Sequence, residues 1–233
     1  MTPERLGRLR RVLDQRQPDL CVVTDFVNKQ RNLSAIVRNC DAVGIQYLHA
    51  VIGEEDYTAF RGTAMGSHDW VTINHYRQPA DAFAVLRQDG SQLVAAHLDA
   101  DAVDYRSIDY TRPTAIVFGA ERRGVSEEAL AEVDHCVTIP MMGMVASYNV
   151  SVAAGIILAE AQRQRQQAGS YASPRLGERA YQRLFFEWGH PQVRDFCRQW
   201  GLAYPPLNDE GEIDDPSGWY AQVREGVAPL EGQ

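Results

Sequence analysis

The chain alternates short runs of branched apolar residues with stretches of helical periodicity, and that alternation limits the architectures open to it. Runs at 20–26, 47–52, 70–73, 92–97, 114–118 and 137–139 read as strands. Between and around them, helical spacing is plain. Leu6, Leu9, Val12 and Leu13 follow a capping Thr2 and a Pro3 placed for the first turn. Residues 33–43 read as a helix closed by Gly44, 80–87 as another, and Ser126 opens a capped helix with acids in its first turn. A long helix is expected from Val150 to about Gln167. Strands alternating with helices predict an α/β fold with a mostly parallel sheet. The Gly-, Ser- and Pro-bearing stretch 169–177 reads as a linker, followed by short helices at 178–188 and 192–200 and an irregular 202–218.

With 233 residues, 45% of them hydrophobic, the chain is long enough for one core with appendages. Cys21, Cys40, Cys136 and Cys197 are far apart and form no C-x-x-C pair, which argues against a zinc knuckle or disulfide framework and fits a reducing cytosol. No apolar segment follows the first residues, so no signal peptide is expected, and the apolar run 150–159 is too short to span a bilayer. The net charge of −8 is unevenly spread. Residues 1–40 hold eight basic groups against four acids, whereas 209–215 is densely acidic. A basic face on an acidic protein can still hold phosphates.

Three segments carry chemistry. At 139–153 a strand end passes through a Pro/Gly loop to Ser147, Tyr148 and Asn149 at the mouth of an apolar helix. Such a junction leaves backbone N–H and C=O groups free at the carboxyl edge of a sheet, where they can hold a polar small molecule. Ser147 and Asn149 could equally be helix caps. At 32–38, Asn32 is a candidate cap and Arg38 lies in an otherwise apolar stretch, as a surface residue, a paired ion or an active-site group. At 119–126 the sequence reads G-x-x-x-x-G-x-S, but Val125 stands where a Walker loop requires Lys and Glu121 sits inside it, which disfavours a nucleoside triphosphate. Glu121 could simply pair with Arg122 or Arg123.

Taken in order, these three segments resemble the three motifs of the SpoU family of ribose 2′-O-methyltransferases, most of all its TrmH-type tRNA guanosine branch. The flanks Arg16-Gln17-Pro18-Asp19-Leu20 and Gly211-Glu212-Ile213 extend the resemblance through nearly the whole chain. It implies a SPOUT-like deep trefoil knot near the third motif, which periodicity cannot reveal, and a homodimer with its active site near the subunit interface. It further implies a helical extension at 1–18, a knotted catalytic domain at 19–168 and a helical extension at 169–233. The methyl donor would be S-adenosylmethionine and the target the guanosine at position eighteen of the tRNA D-loop, in the cytoplasm.

The resemblance also assigns roles. Arg38 would be the catalytic arginine, with Asn32, Glu121, Ser147 and Asn149 shaping the site. Because a guanidinium rarely gives up its proton, Arg38 is better read as binding the target phosphate and stabilising the developing oxyanion than as a base. Ala96, His97, Gly119, Ile139, Ser147 and Tyr148 would hold the donor. Tyr148 stands where the family more often has Leu, and Ala96 where it often has Thr, so a hydroxyl contact is lost. Arg8, Arg16, Arg163 and Arg165 match positions implicated in tRNA contact; the alternative for each is a solvated polar face. Phe185, Phe186, Trp188 and Trp200 are expected to pack rather than stack on bases. With no H-E-x-x-H and no Cys/His cluster, no metal is expected. A ribosomal RNA methyltransferase and a non-catalytic RNA-binding protein of the same fold are the competing readings.

Overall fold

The computed structural model describes residues 1–53 and 69–231. They form two compact units, one spanning Arg16–Ser173 and the other joining Met1–Gln15 to Pro174–Gln233.

The larger unit is built on a sheet whose strands are β1 (Leu20–Asp25), β2 (Tyr47–Val51), β3 (Thr72–Tyr76), β4 (Gln92–Ala96), β5 (Val103–Asp104), β6 (Thr114–Gly119) and β7 (His135–Thr138). Among the described residues the seven lie in the order β3-β2-β1-β6-β4-β7-β5, and every pairing is parallel. Every residue of the central strands β1 and β6 is buried, as expected where helices cover both faces. Side chains alternate between those faces. Leu20, Val22, Ile116 and Phe118 join a core with α2 (Gln30–Ala42) and α5 (Val150–Gln167). Cys21, Val23, Ala115 and Val117 join the other, with α3 (Pro79–Gln88) and α4 (Glu127–Leu130).

Several expectations shift in detail. The third strand begins at Thr72 rather than residue 70 and runs on to Tyr76, while Val71 is buried ahead of it. The helix opened by Ser126 is only four residues long, although its cap holds: Ser126 Oγ accepts the N–H of Ala129 at 3.3 Å. The edge strand β5 is too short to register as a periodic pattern. Helix α2 begins at Gln30, so Asn32 lies inside its first turn and the cap position falls to Lys29. Gly44, at φ +81°, ends that helix as its left-handed conformation demands.

The smaller unit comprises α1 (Pro3–Asp14), α6 (Glu178–Gly189), α7 (Pro191–Trp200) and α8 (Pro216–Glu225). Thr2 caps α1 by accepting the Arg5 N–H, and Arg5 Nη2 donates to the Trp188 carbonyl at 3.1 Å. The Tyr181 hydroxyl donates to Asp14 at 3.0 Å, further joining α1 to α6. Phe185, Phe186 and Trp188 are buried, as packing residues should be, whereas Trp200 is exposed.

Candidate functional site

A cavity of about 600 Å³ opens at the carboxyl ends of β4, β6 and β7 and beside the first turn of α5. This is the edge where parallel sheets present free backbone groups. Two of the three sequence segments line it, and the third, at 32–38, connects to it through hydrogen bonds of Asn32 to the lining residues Glu121 and Asn149. From β4 come Ala96 and His97; from β6, Phe118, Gly119 and the loop that follows; from β7 and beyond, Ile139, Ser147, Tyr148 and Asn149.

Gly119 is obligatory here. A Cβ at that position would lie 2.0 Å from the carbonyl carbon of Gly124, so the chain passes where any side chain would collide. The loop closes on itself, with the Gly124 N–H donating to the Ala120 carbonyl at 2.8 Å and Gly124 at φ +69°. The His97 ring abuts Gly124, and its backbone N–H donates to Val137 O at 3.1 Å. Asp25, at the end of β1, accepts the Ser126 N–H at 2.6 Å. Burial pushes the pKa of the Asp25 carboxyl up, partly opposed by its hydrogen bonds from Ser126.

A hydrogen-bonded chain runs through the cavity wall. Asn32 Nδ2 donates to Glu121 Oε1, and Asn149 Nδ2 donates to Asn32 Oδ1 at 3.3 Å. Asn149 Oδ1 in turn accepts the Ser151 N–H at 2.9 Å and its hydroxyl at 2.7 Å. Asn149 is therefore both the α5 cap and a member of the chain, while Ser147 caps nothing and faces the cavity. Asn32 is not a cap; its amide spans the other two motifs. Glu121 takes Asn32 as its partner and lies 3.8 Å from Lys29 Nζ, which corrects its reading as a solvated acid paired with Arg122 or Arg123. Ile139 is half-buried, and Tyr148 is exposed at the mouth.

Arg38 stands exposed on α2, outside the cavity lining of this chain. Its neighbour Asn39 ties α2 to α5 through a 2.9 Å bond to Ser151 O. Among the four cations matched to tRNA contact, Arg8 is exposed on α1 and Arg163 is exposed in an ion pair with Glu160 at 2.7 Å. The other two are a correction. Arg165 is wholly buried, donating to Asp19 at 2.6 Å, to Gln17 at 3.1 Å and to the carbonyls of Tyr110 and Arg112. Arg16 is wholly buried too, on Asp41 at 2.6 Å and the Ile45 carbonyl at 3.0 Å. Neither guanidinium is presented to a polyanion; both tie the fold together.

Sequence reasoning missed Lys29 and Asp25. Lys29, the one lysine in a chain whose other strong cations are all arginine, sits in a polar stretch where nothing local marks a role, and Asp25 betrays itself only as an acid closing a strand whose other residues are nearly all apolar. Among the described residues no three His, Cys, Asp or Glu side chains converge as metal ligands would. Likewise, no helix among them is long and apolar enough to cross a membrane.

A parallel sheet, a glycine-built cavity at its carboxyl edge and a Glu121–Asn32–Asn149 chain beside it define a class, and the sequence matches that class. The chain belongs to the SpoU methylase family: residues 19–159 match the SpoU rRNA Methylase family and residues 163–216 its C-terminal region. It is 46% identical over 226 residues to the tRNA (guanosine(18)-2′-O)-methyltransferase of Escherichia coli K12, covering 96% of this chain and 99% of that protein. The crystal structure of the Aquifex aeolicus TrmH/SpoU tRNA modifying enzyme superposes with a TM-score of 0.75 at 44% identity, covering 82% of this chain and 97% of that one. An rRNA methyltransferase from Sinorhizobium meliloti, solved with AdoMet bound, superposes with a TM-score of 0.56 at 32% identity, covering 66% of this chain and 59% of that one.

Proposed function

We propose that this protein transfers a methyl group from S-adenosylmethionine to the ribose 2′-hydroxyl of the guanosine at position eighteen of tRNA. The observation that carries this reading is the junction of all three motifs at one cavity, through Glu121, Asn32 and Asn149. The near full-length identity to a relative named for that reaction supports the substrate.

The cavity suits the donor. Its volume falls within the range of small-molecule sites, and Gly119 lets backbone approach a ligand without a side chain between. Ala96, His97, Gly119, Ile139, Ser147 and Tyr148 hold the donor, the apolar walls of Ile139 and Ile157 lying against its less polar parts. When bound, the donor supplies an electrophilic methyl on a sulfonium, which needs no metal and no covalent intermediate. The chain must then align the 2′-oxygen with that methyl and exclude water. With the donor bound, the 2′-oxygen would take the methyl as the S–C bond breaks, S-adenosylhomocysteine would leave, and the hydroxyl proton would pass to solvent at the mouth of the site. Arg38, which stays protonated, binds the target phosphate and stabilises the negative charge growing on the 2′-oxygen. Asn32 and Asn149 fix Glu121 and the first turn of α5.

The finer architecture follows the same reading. The chain near the third motif threads an earlier loop as a deep trefoil knot. The protein is a homodimer: Met142, Met144, Val145 and Val152 are exposed together beside the cavity, an apolar surface suited to a second copy that would also bring Arg38 near a site. The helical extensions at 1–18 and 169–233 grip tRNA with Arg8, and the catalytic domain of 19–168 does so with Arg163. The protein works in the cytoplasm.

The description of the matched family as rRNA methylases favours one second reading, a ribosomal RNA target. Incubating the purified protein with labelled S-adenosylmethionine and unmodified tRNA or ribosomal RNA separates them. Label in tRNA alone is expected; label in ribosomal RNA alone would replace the tRNA assignment.

A further inference from the structure

Strand β1 ends on a buried acid. The Asp25 side chain is 1% exposed. Its Oδ2 accepts the Ser126 N–H at 2.6 Å, while Oδ1 has no hydrogen-bond partner among the described residues. Burying a carboxylate with one oxygen unpaired is costly, so packing alone does not favour an acid here. What the acid supplies is an acceptor for the Ser126 N–H, which an apolar side chain would leave unpaired.

In the sheet register Asp25 pairs with Gly119, the residue from which the 120–126 loop departs. The chain then turns away at Phe26, whose φ of +52° is uncommon for a side-chain-bearing residue. The loop is held at its start by the Gly119 backbone packed on Gly124 and at its waist by the Ala120–Gly124 bridge. The Asp25–Ser126 bond fastens its far end to a neighbouring strand. Glu121, Arg122 and Arg123, all on the cavity wall, ride on this loop.

We propose that Asp25 is a positioning residue for methyl transfer: by accepting the Ser126 N–H it fixes the 120–126 loop, and through Glu121 and Asn32 it sets the wall of the donor cavity. The proposal rests on the donor reading given above. The contact that fixes the loop is a single accepted N–H, and an amide oxygen can accept it too, so Asn should serve in place of Asp25.

The test measures S-adenosylhomocysteine binding by calorimetry and hydrogen exchange of the 120–126 amides in the full chain and its variants. Asp25→Leu leaves the Ser126 N–H unpaired and is expected to lower the melting temperature modestly. It should weaken S-adenosylhomocysteine about 10-fold or more and speed loop exchange by a similar factor, the scale of one lost hydrogen bond, while the amides of the central strands exchange as in the parent. Asp25→Asn keeps an acceptor and should restore both to within about 3-fold of the parent. A folded Asp25→Leu that matches the parent in both readouts would overturn the proposal, as would a folded Asp25→Asn as impaired as the Leu variant. Should Asp25→Leu not fold, Asp25→Ala removes the acceptor without adding bulk, leaves the Ser126 cap of α4 in place, and is held to the same expectations. If the parent itself binds no S-adenosylhomocysteine, the donor reading fails, while loop exchange still judges Asp25.

Discussion

Arg163 and Arg165 lie two positions apart on α5 and have opposite surroundings. Arg163 is 54% exposed with its ion pair in solvent; Arg165 is wholly buried against Asp19, Gln17 and two carbonyls. Removing one partner of a buried pair leaves the other uncompensated, whereas a surface pair contributes little. Arg165→Ala should therefore cost about 3–5 kcal/mol of unfolding free energy in urea titration, and Arg163→Ala less than about 1 kcal/mol. Equal losses would refute the distinction. His49 supplies a second test at this scale. Burial pushes its pKa down to about 4, and its ring lies against Tyr76 with Nδ1 3.0 Å from the hydroxyl. An unfolded histidine titrates near 6.5, so the stability of the neutral ring is fully present above that pH and is lost as pH falls toward 4. The loss across that window should be about 3 kcal/mol. His49→Gln should show a correspondingly shallower fall in denaturant unfolding between neutral and acid pH, and an unchanged slope would contradict it.

Much of the secondary structure was legible because the physics behind it is local. Residues 20–26 and 114–118 read as strands since parallel strands covered on both faces need unbroken apolar runs. Gly44 and Pro3 announce helix ends by their backbone preferences alone. What failed was set by distant partners. Asn32 reads as a cap because amide side chains often cap, yet its partners Glu121 and Asn149 come from segments about 90 or more positions away. Arg16 and Arg165 read as surface cations because nothing local shows that Asp41 and Asp19 await them. The four-residue α4 and the two-residue β5 are too short to show a period. The loop after β6 gives the prediction proper to this scale. A methyl group at Gly119 would meet Gly124 backbone at 2.0 Å, and that backbone cannot swing aside as a side chain could. Gly119→Ala should lose donor binding by about 10-fold or more and cost about 1–3 kcal/mol of stability. Calorimetry that finds affinity intact would mean the loop does not wall the donor site.

At the scale of the whole molecule, a protein with a net charge of −8 must bind a polyanion through local basic faces. Arg8 on α1 is an exposed cation, as are Lys29, Arg122 and Arg123 at the cavity rim, and the proposed tRNA binding would draw on such groups. The proposed pairing of two chains would cover the exposed apolar residues beside the cavity. Light scattering should give twice the 26.1 kDa chain mass, and Val152→Glu should shift it toward one chain with activity falling in step. A fully active monomer would separate assembly from catalysis. The central claim concerns where the methyl group goes. Unmodified tRNA should be incubated with S-adenosylmethionine and the protein or its Arg38→Ala variant, then digested and mapped by mass spectrometry. The account predicts a single 2′-O-methylguanosine at position eighteen, and a loss of about 100-fold or more in rate for the variant, with melting curves run beside it to show that it folds. Methylation on a base, at another nucleotide, or at an undiminished rate in the variant would contradict it.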